Sequence, residues 1–133
     1  MVSRWLRPLS RRLTARGLRG RRAEALASAY VAAHGYAVIQ RNVRFPVGEI
    51  DLVAREGQTL CFIEVRSTGS QQWGGPLASI TDRKRRRIIE AARWYLQYGS
   101  IRAPETRFDV VAVEWHEGAR PSVELVRGAF TAD

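Results

Sequence analysis

Cysteine is almost missing from this chain of 133 residues: Cys61 stands alone. No intrachain disulfide and no cysteine-based zinc centre can form, and the thiol lies in the apolar run Leu60-Cys61-Phe62-Ile63, where it reads as a small buried hydrophobe. Long apolar runs are missing too. No stretch approaches the ~20 residues that span a bilayer, so no integral membrane segment is expected. The N-terminus lacks the apolar core of a secretory signal, which leaves the cytoplasm as the expected compartment. Histidine is scarce, and neither His34 nor His116 has a partner at metal-ligand spacing. Lysine occurs once, at Lys84, against 21 arginines. The two cations are not interchangeable, because arginine keeps its proton where lysine can lose it.

Acids are absent from the first 22 residues, which hold eight arginines: Arg4, Arg7, Arg11, Arg12, Arg16, Arg19, Arg21 and Arg22. The rest of the chain has 14 basic and 13 acidic residues, so the net charge of +9 is concentrated at one end. Residues 1–20 read as a basic, flexible arm and 21–133 as a single domain. Such arms bind nucleic acid or anionic surfaces. Trp5, Leu6, Leu9 and Leu13 alternate with the arginines, so an amphipathic helix on a membrane surface fits as well. The Arg-rich start also imitates a mitochondrial transit peptide, and a solvated tail is the plain alternative.

The hydrophobic fraction, 45%, suits a globular domain with a true core. Residues 21–34 have helical character, with Leu26, Tyr30 and Ala33 on one side and Gly35 as a stop. Residues 36–44 read as a strand, and Pro46-Val47-Gly48 as a turn. Two further strands surround Gly57. A second helix is expected from Leu77 or Thr81 through Tyr98, with Thr81 as N-cap and Ile88, Ala91, Ala92, Tyr95 and Leu96 as its apolar stripe. A strong strand covers 107–115 and a weaker one 123–126. This order predicts an α/β fold with a mixed sheet flanked by helices.

The strands around Gly57 carry the chemistry. A two-residue II′ turn at Gly57-Gln58 would set Glu56 opposite Thr59, Asp51 opposite Glu64 and Glu49 opposite Arg66. Alternation would put Glu49 and Asp51 on one face, Ile50 and Leu52 on the other. Leu60 and Phe62 would share a face with Glu64, so that face is not simply wet. Facing carboxylates in an apolar sheet repel, and need a metal ion, a shared proton or a nearby cation. Mg²⁺ or Mn²⁺ is the expected cofactor, since hard cations prefer oxygen ligands. Asp51 and Glu64 would ligate it, with the Val65 carbonyl as a third oxygen. Arg66 would stabilise charge, and Glu24 could reach the site from the first helix or simply pair with the positive end of that helix. An acid on one strand and an acid-x-cation triplet on the next suit phosphodiester hydrolysis. Solvated edge carboxylates and a simple Glu49–Arg66 ion pair are the plain alternative.

The chain resembles the YraN-like family of restriction-endonuclease-like, PD-(D/E)XK proteins. The likeness is carried by Glu24 with Ala27 and Tyr30, Gly35-Tyr36, Arg41-Asn42, Gly48-Glu49-Ile50-Asp51-Leu52, Phe62-Ile63-Glu64-Val65, Gly74 with Pro76, Lys84 with Arg87-Ile88, Arg107-Phe108-Asp109 and Ala129-Phe130. It implies an α-β-β-β-α-β core and a nuclease-type site in which Asp51 and Glu64 are the motif carboxylates. Members usually have lysine where this chain has Arg66, and arginine where it has Thr68.

For nucleic-acid contact the candidates are Lys84, Arg87, Arg41 and Arg44, with Trp73 able to stack on a base; a solvated cationic face on the second helix and a Trp packed on its own domain are the plain alternatives. Three readings follow: a metal-dependent nuclease, a nucleic-acid-binding module of the same fold that does not cut, and an adaptor engaging a membrane or acidic partner through its arm. Nucleic acid is the expected partner, DNA ahead of RNA, with a homodimer left open.

Overall fold

The computed structural model describes residues 15–69, 80–99 and 101–132. The elements run α1 (Ala15–Ala33), β1 (Ala37–Phe45), β2 (Gly48–Glu56), β3 (Thr59–Thr68), α2 (Asp82–Tyr98), β4 (Glu105–Glu114) and β5 (Ser122–Phe130). The strands form one sheet in the order β1-β2-β3-β4-β5. Neighbours are antiparallel except β3 and β4, which are parallel. Parallel strands need a long crossover, and the connection containing α2 supplies it. The expected α-β-β-β-α-β order is therefore present, with β5 added as a full strand rather than a weak one.

The β2–β3 turn forms as the sequence suggests. Glu56 pairs with Thr59, Gly57 takes φ +60°, and Gln58 is not among the described residues with positive φ. Glycine first, with positive φ, is the II′ requirement.

Each face of the sheet is covered by one helix, so β3 is buried on both sides. Leu60 and Phe62 pack toward α2 with Ile88, Ala92 and Tyr95. Cys61 and Ile63 pack toward α1 with Ala23, Ala27 and Val31. The Tyr95 ring meets Phe62 edge-on at 5.8 Å between centroids.

Several local expectations change. Helix α1 begins at Ala15 rather than near Arg21. Its buried row is Ala23-Ala27-Val31, not Leu26-Tyr30-Ala33. Small residues let this helix lie close on the sheet, so the row in deepest contact is the least hydrophobic-looking one. Leu26 packs at its margin, Tyr30 stacks on His34, and Ala33 is exposed. On α2, Leu96 is exposed and Ile89 takes its place in the core. Nor do Ile50 and Leu52 share a face: Ile50 packs toward α2 and Leu52 toward α1. Beside this switch, in β1, Asn42 adopts φ 54° between the pairs Arg41↔Leu52 and Val43↔Ile50. A left-handed residue breaks the two-residue alternation there.

A polar network centred on the buried Asp109 ties the turn end of the hairpin to β4 and β5. Asp109, with no exposed surface, accepts from Tyr36 Oη at 2.7 Å, Arg107 Nε at 2.7 Å and the Gly128 N–H at 2.9 Å. Arg107 and Arg127 also each reach Glu56 at 2.7 Å. Burial pushes the Asp109 carboxyl up, but Arg107, the Gly128 N–H and the Tyr36 hydroxyl outweigh it and hold it below its usual value.

Candidate acidic site

The ladder joining β2 to β3 runs from Glu56↔Thr59 to Leu52↔Ile63. Asp51 and Glu64 are the next residue on each strand. Past this point β3 keeps its pairing with β4 through Thr68, while Asp51 Oδ2 accepts from the Val65 N–H at 2.8 Å. A side-chain carboxylate thus takes the place of a ladder carbonyl, and the strands fork where the two acids meet. Val65 contributes its N–H to the site in this way.

Asp51 is closely packed, although part of its surface reaches solvent. Its carboxyl is held well above the usual carboxylate range. Burial is the main cause, and the neighbouring Glu64 carboxylate is the next, by charge and by hydrogen bonding. The Val65 N–H works the other way, and Glu24 adds its own negative field from α1. Three acids from three elements therefore act on one another, although among the described residues no three His, Cys, Asp or Glu side chains gather closely enough to form a metal cage by themselves.

Glu64 is 5% exposed and faces two cations. Lys84 Nζ lies 2.7 Å from Glu64 Oε2, and Arg66 Nη1 lies 3.9 Å from the same oxygen. Arg66 stands beyond hydrogen-bond distance and the Lys84 approach lies off the hydrogen-bonding direction, so the ammonium meets this buried Oε2 as an ion pair. Arg66 Nε is buried without a hydrogen-bond partner. Lys84 reaches the site from the first turn of α2. Thr81 caps that turn, its Oγ1 accepting from the Lys84 N–H at 3.1 Å. The next turn sits tight against β2: a Cβ on Gly48 would meet the Arg87 carbonyl oxygen at 2.5 Å. Only glycine permits that approach.

Of the candidates, Asp51, Glu64, Val65, Arg66 and Lys84 come together at the fork, with Glu24 close enough to act by charge. Glu49 does not join them. It is exposed, and its partner is Arg44 at 3.9 Å rather than Arg66, because the β1–β2 register sets Arg44 opposite Glu49. Arg41, Arg44 and Arg87 are exposed. Arg85, from the same basic run as Lys84, turns instead over the Phe130 ring at 5.8 Å. Trp73 lies outside the described residues. Thr68 holds the end of β3 to β4, its carbonyl accepting from the Trp115 N–H at 2.9 Å. His34 bonds the Tyr30 carbonyl and His116 pairs with Ser122. The position of Lys84 on Glu64 was missed by sequence reasoning, which assigned it to nucleic acid; its signal was its place one helical turn before Ile88 on the buried stripe.

Fold and site together define an α/β protein with an α-β-β-β-α-β core and a carboxylate pair where its central strands fork. The profile of a family described as "Uncharacterised protein family UPF0102" matches residues 23–113, and the chain belongs to that family. The match spans Glu24, Asp51, Glu64, Arg66 and Lys84. A UPF0102 protein of Desulfosudis oleivorans is 43% identical over 114 residues, 86% of this chain and 90% of the relative. One from Chlorobium limicola is 49% identical over 94 residues, covering 71% and 73%. One from Moorella thermoacetica is 44% identical over 113 residues, covering 84% and 94%. No helix among the described residues is long and apolar enough to cross a membrane.

Proposed function

We propose that this protein is a metal-dependent nuclease acting on nucleic-acid phosphodiesters, DNA ahead of RNA, in the cytoplasm. The observation that carries this reading is the pairing of Asp51 with Glu64 at the fork. Two carboxylates pressed together, one of them pushed far from its ordinary ionisation, oppose the fold's own stability. Groups perturbed in this way concentrate at functional sites.

The donor set suits Mg²⁺ or Mn²⁺. Mg²⁺ is commonly held by one or two carboxylates, the remaining positions going to water and substrate phosphate. Asp51 and Glu64, with the Val65 carbonyl, supply oxygens only, and Glu64 Oε2 is a buried acceptor met by the ammonium of Lys84. When bound, such a cation neutralises phosphate charge and makes water a better nucleophile. The chain's own residues do the rest. A guanidinium is a hydrogen-bond donor and not a base, so Arg66 can donate to a phosphate oxygen but does not take a proton from water. Arg41, Arg44 and Arg87 give phosphates flanking the fork exposed cations to pair with.

Arg66 also favours a second reading, a nucleic-acid-binding module that does not cut. Incubation with duplex, single-stranded and branched DNA, and with RNA, in Mg²⁺ or Mn²⁺ separates the two. Metal-dependent cleavage by the wild type, lowered at least ~10²-fold in Asp51→Asn, is the expected result. A silent wild type that still binds these nucleic acids would favour the binding module.

A further inference from the structure

Glu64 carries its cation in a form that can leave. Nine-tenths or more of the residue is buried, so a charge there needs a partner. The nearer of the two available is the ammonium of Lys84, at 2.7 Å. The Lys84 backbone is fixed by the Thr81 cap, but its side chain is 46% exposed. That side chain is a flexible four-carbon stem with a compact, rotatable charge. Arg66, at 3.9 Å and 23% exposed, is the more enclosed and the more distant of the two cations. A divalent cation ligated by Glu64 would stand beside an ammonium already touching the same oxygen, and like charges that close repel. One must give way, and the lysine has solvent to move into.

We infer that Lys84 is a displaceable counter-ion of Glu64, a latch that holds the site's carboxylate before a divalent cation arrives and then swings out toward a substrate phosphate. The inference rests on the metal-binding reading of the fork and assigns Lys84 a place in it.

The single lysine gives a direct probe. In protein labelled with ¹³C-lysine, one ε-CH₂ resonance reports Lys84 alone. Mg²⁺ titration of the wild type should shift that resonance saturably, and the same titration of Asp51→Asn should not. By calorimetry, Lys84→Met should bind Mn²⁺ roughly two- to fivefold more tightly than the wild type, the range set by release of an ion pair whose cation is half exposed. Arg83→Met, which removes an equal charge from the same turn, should gain clearly less. If the wild type binds the metal while the lysine resonance stays fixed, or if Lys84→Met gains no more than Arg83→Met, the latch is overturned and the metal site stands. If neither the wild type nor Lys84→Met binds Mg²⁺ or Mn²⁺, the metal reading fails and the latch fails with it.

Discussion

Two aspartates in this molecule sit in opposite electrostatic settings. Asp109 sits among donors that favour its charge, and its carboxyl is held below the ordinary value despite burial. Asp51 sits beside other acids, and its carboxyl is pushed above the ordinary value by burial and Glu64. The signs follow from linkage. Between the ordinary carboxylate range and the raised value of Asp51, the folded state holds more protons than the unfolded one, so Asp51 makes stability fall as pH rises through that window. For Asp109, stability is fully present above the ordinary range and is lost as pH falls through the depressed value. In chelator at pH 7, Asp51→Asn should raise stability by about 0.5–2 kcal/mol, the scale on which functional sites trade stability for activity. The same substitution should flatten the decline above pH 4. Asp109→Asn should lower stability by about 3 kcal/mol, the lower end for breaking a buried pair, because Arg107 keeps Glu56. Urea denaturation across pH measures both, and a loss of stability in Asp51→Asn at pH 7 would contradict this account of the fork. The sequence announced Asp51 and Glu64 because carboxylates interrupt apolar strands. It was quieter about Asp109, whose partners come from Tyr36 just before β1, from β4 and from β5.

At the scale of elements, the site depends on where α2 docks. The amino end of that helix carries Lys84, and its depth is set by backbone contact between Arg87 and Gly48. Gly48→Ala places a methyl group against a carbonyl that cannot rotate away, so the helix or the strand must shift. The expected cost is about 1–3 kcal/mol, as for other overpacked sites. The weakened docking should also appear as a changed Lys84 ε-CH₂ resonance before any metal is added. A variant with wild-type stability and resonance would show that the helix is held by its apolar face alone. Element existence was legible in the periodicity: α2 and its Thr81 cap, the II′ turn, and β3 as an apolar run buried on both faces. Faces were less so. The stripe on α1 was misread because alanines form its contact, and the split between Ile50 and Leu52 falls beside Asn42, whose backbone no local hydrophobic pattern announces.

For the whole molecule, charge is the distinguishing quantity. Residues 1–14 carry Arg4, Arg7, Arg11 and Arg12 and no acid, and they end before α1, whose Ala23 is already part of the core. Deleting them should leave the domain folded. If the arm pairs with phosphates, duplex binding should weaken and the slope of log K against log salt should flatten by ~0.9 for each phosphate the arm had neutralised. An unchanged slope would leave the arm to an acidic partner, a membrane surface or solvent. The sequence by itself determined the α/β class, the order of elements and the identity of the paired acids. Those features are written in hydrophobic period, turn residues and charges that interrupt apolar runs, all of them local. Tertiary structure alone decided which cation meets which carboxylate. Arg66 is two residues from Glu64 and Lys84 is twenty, yet the lysine is nearer, because a crossover helix brings its first turn over the fork. Pairing at that range follows from packing, which no spacing along the chain encodes.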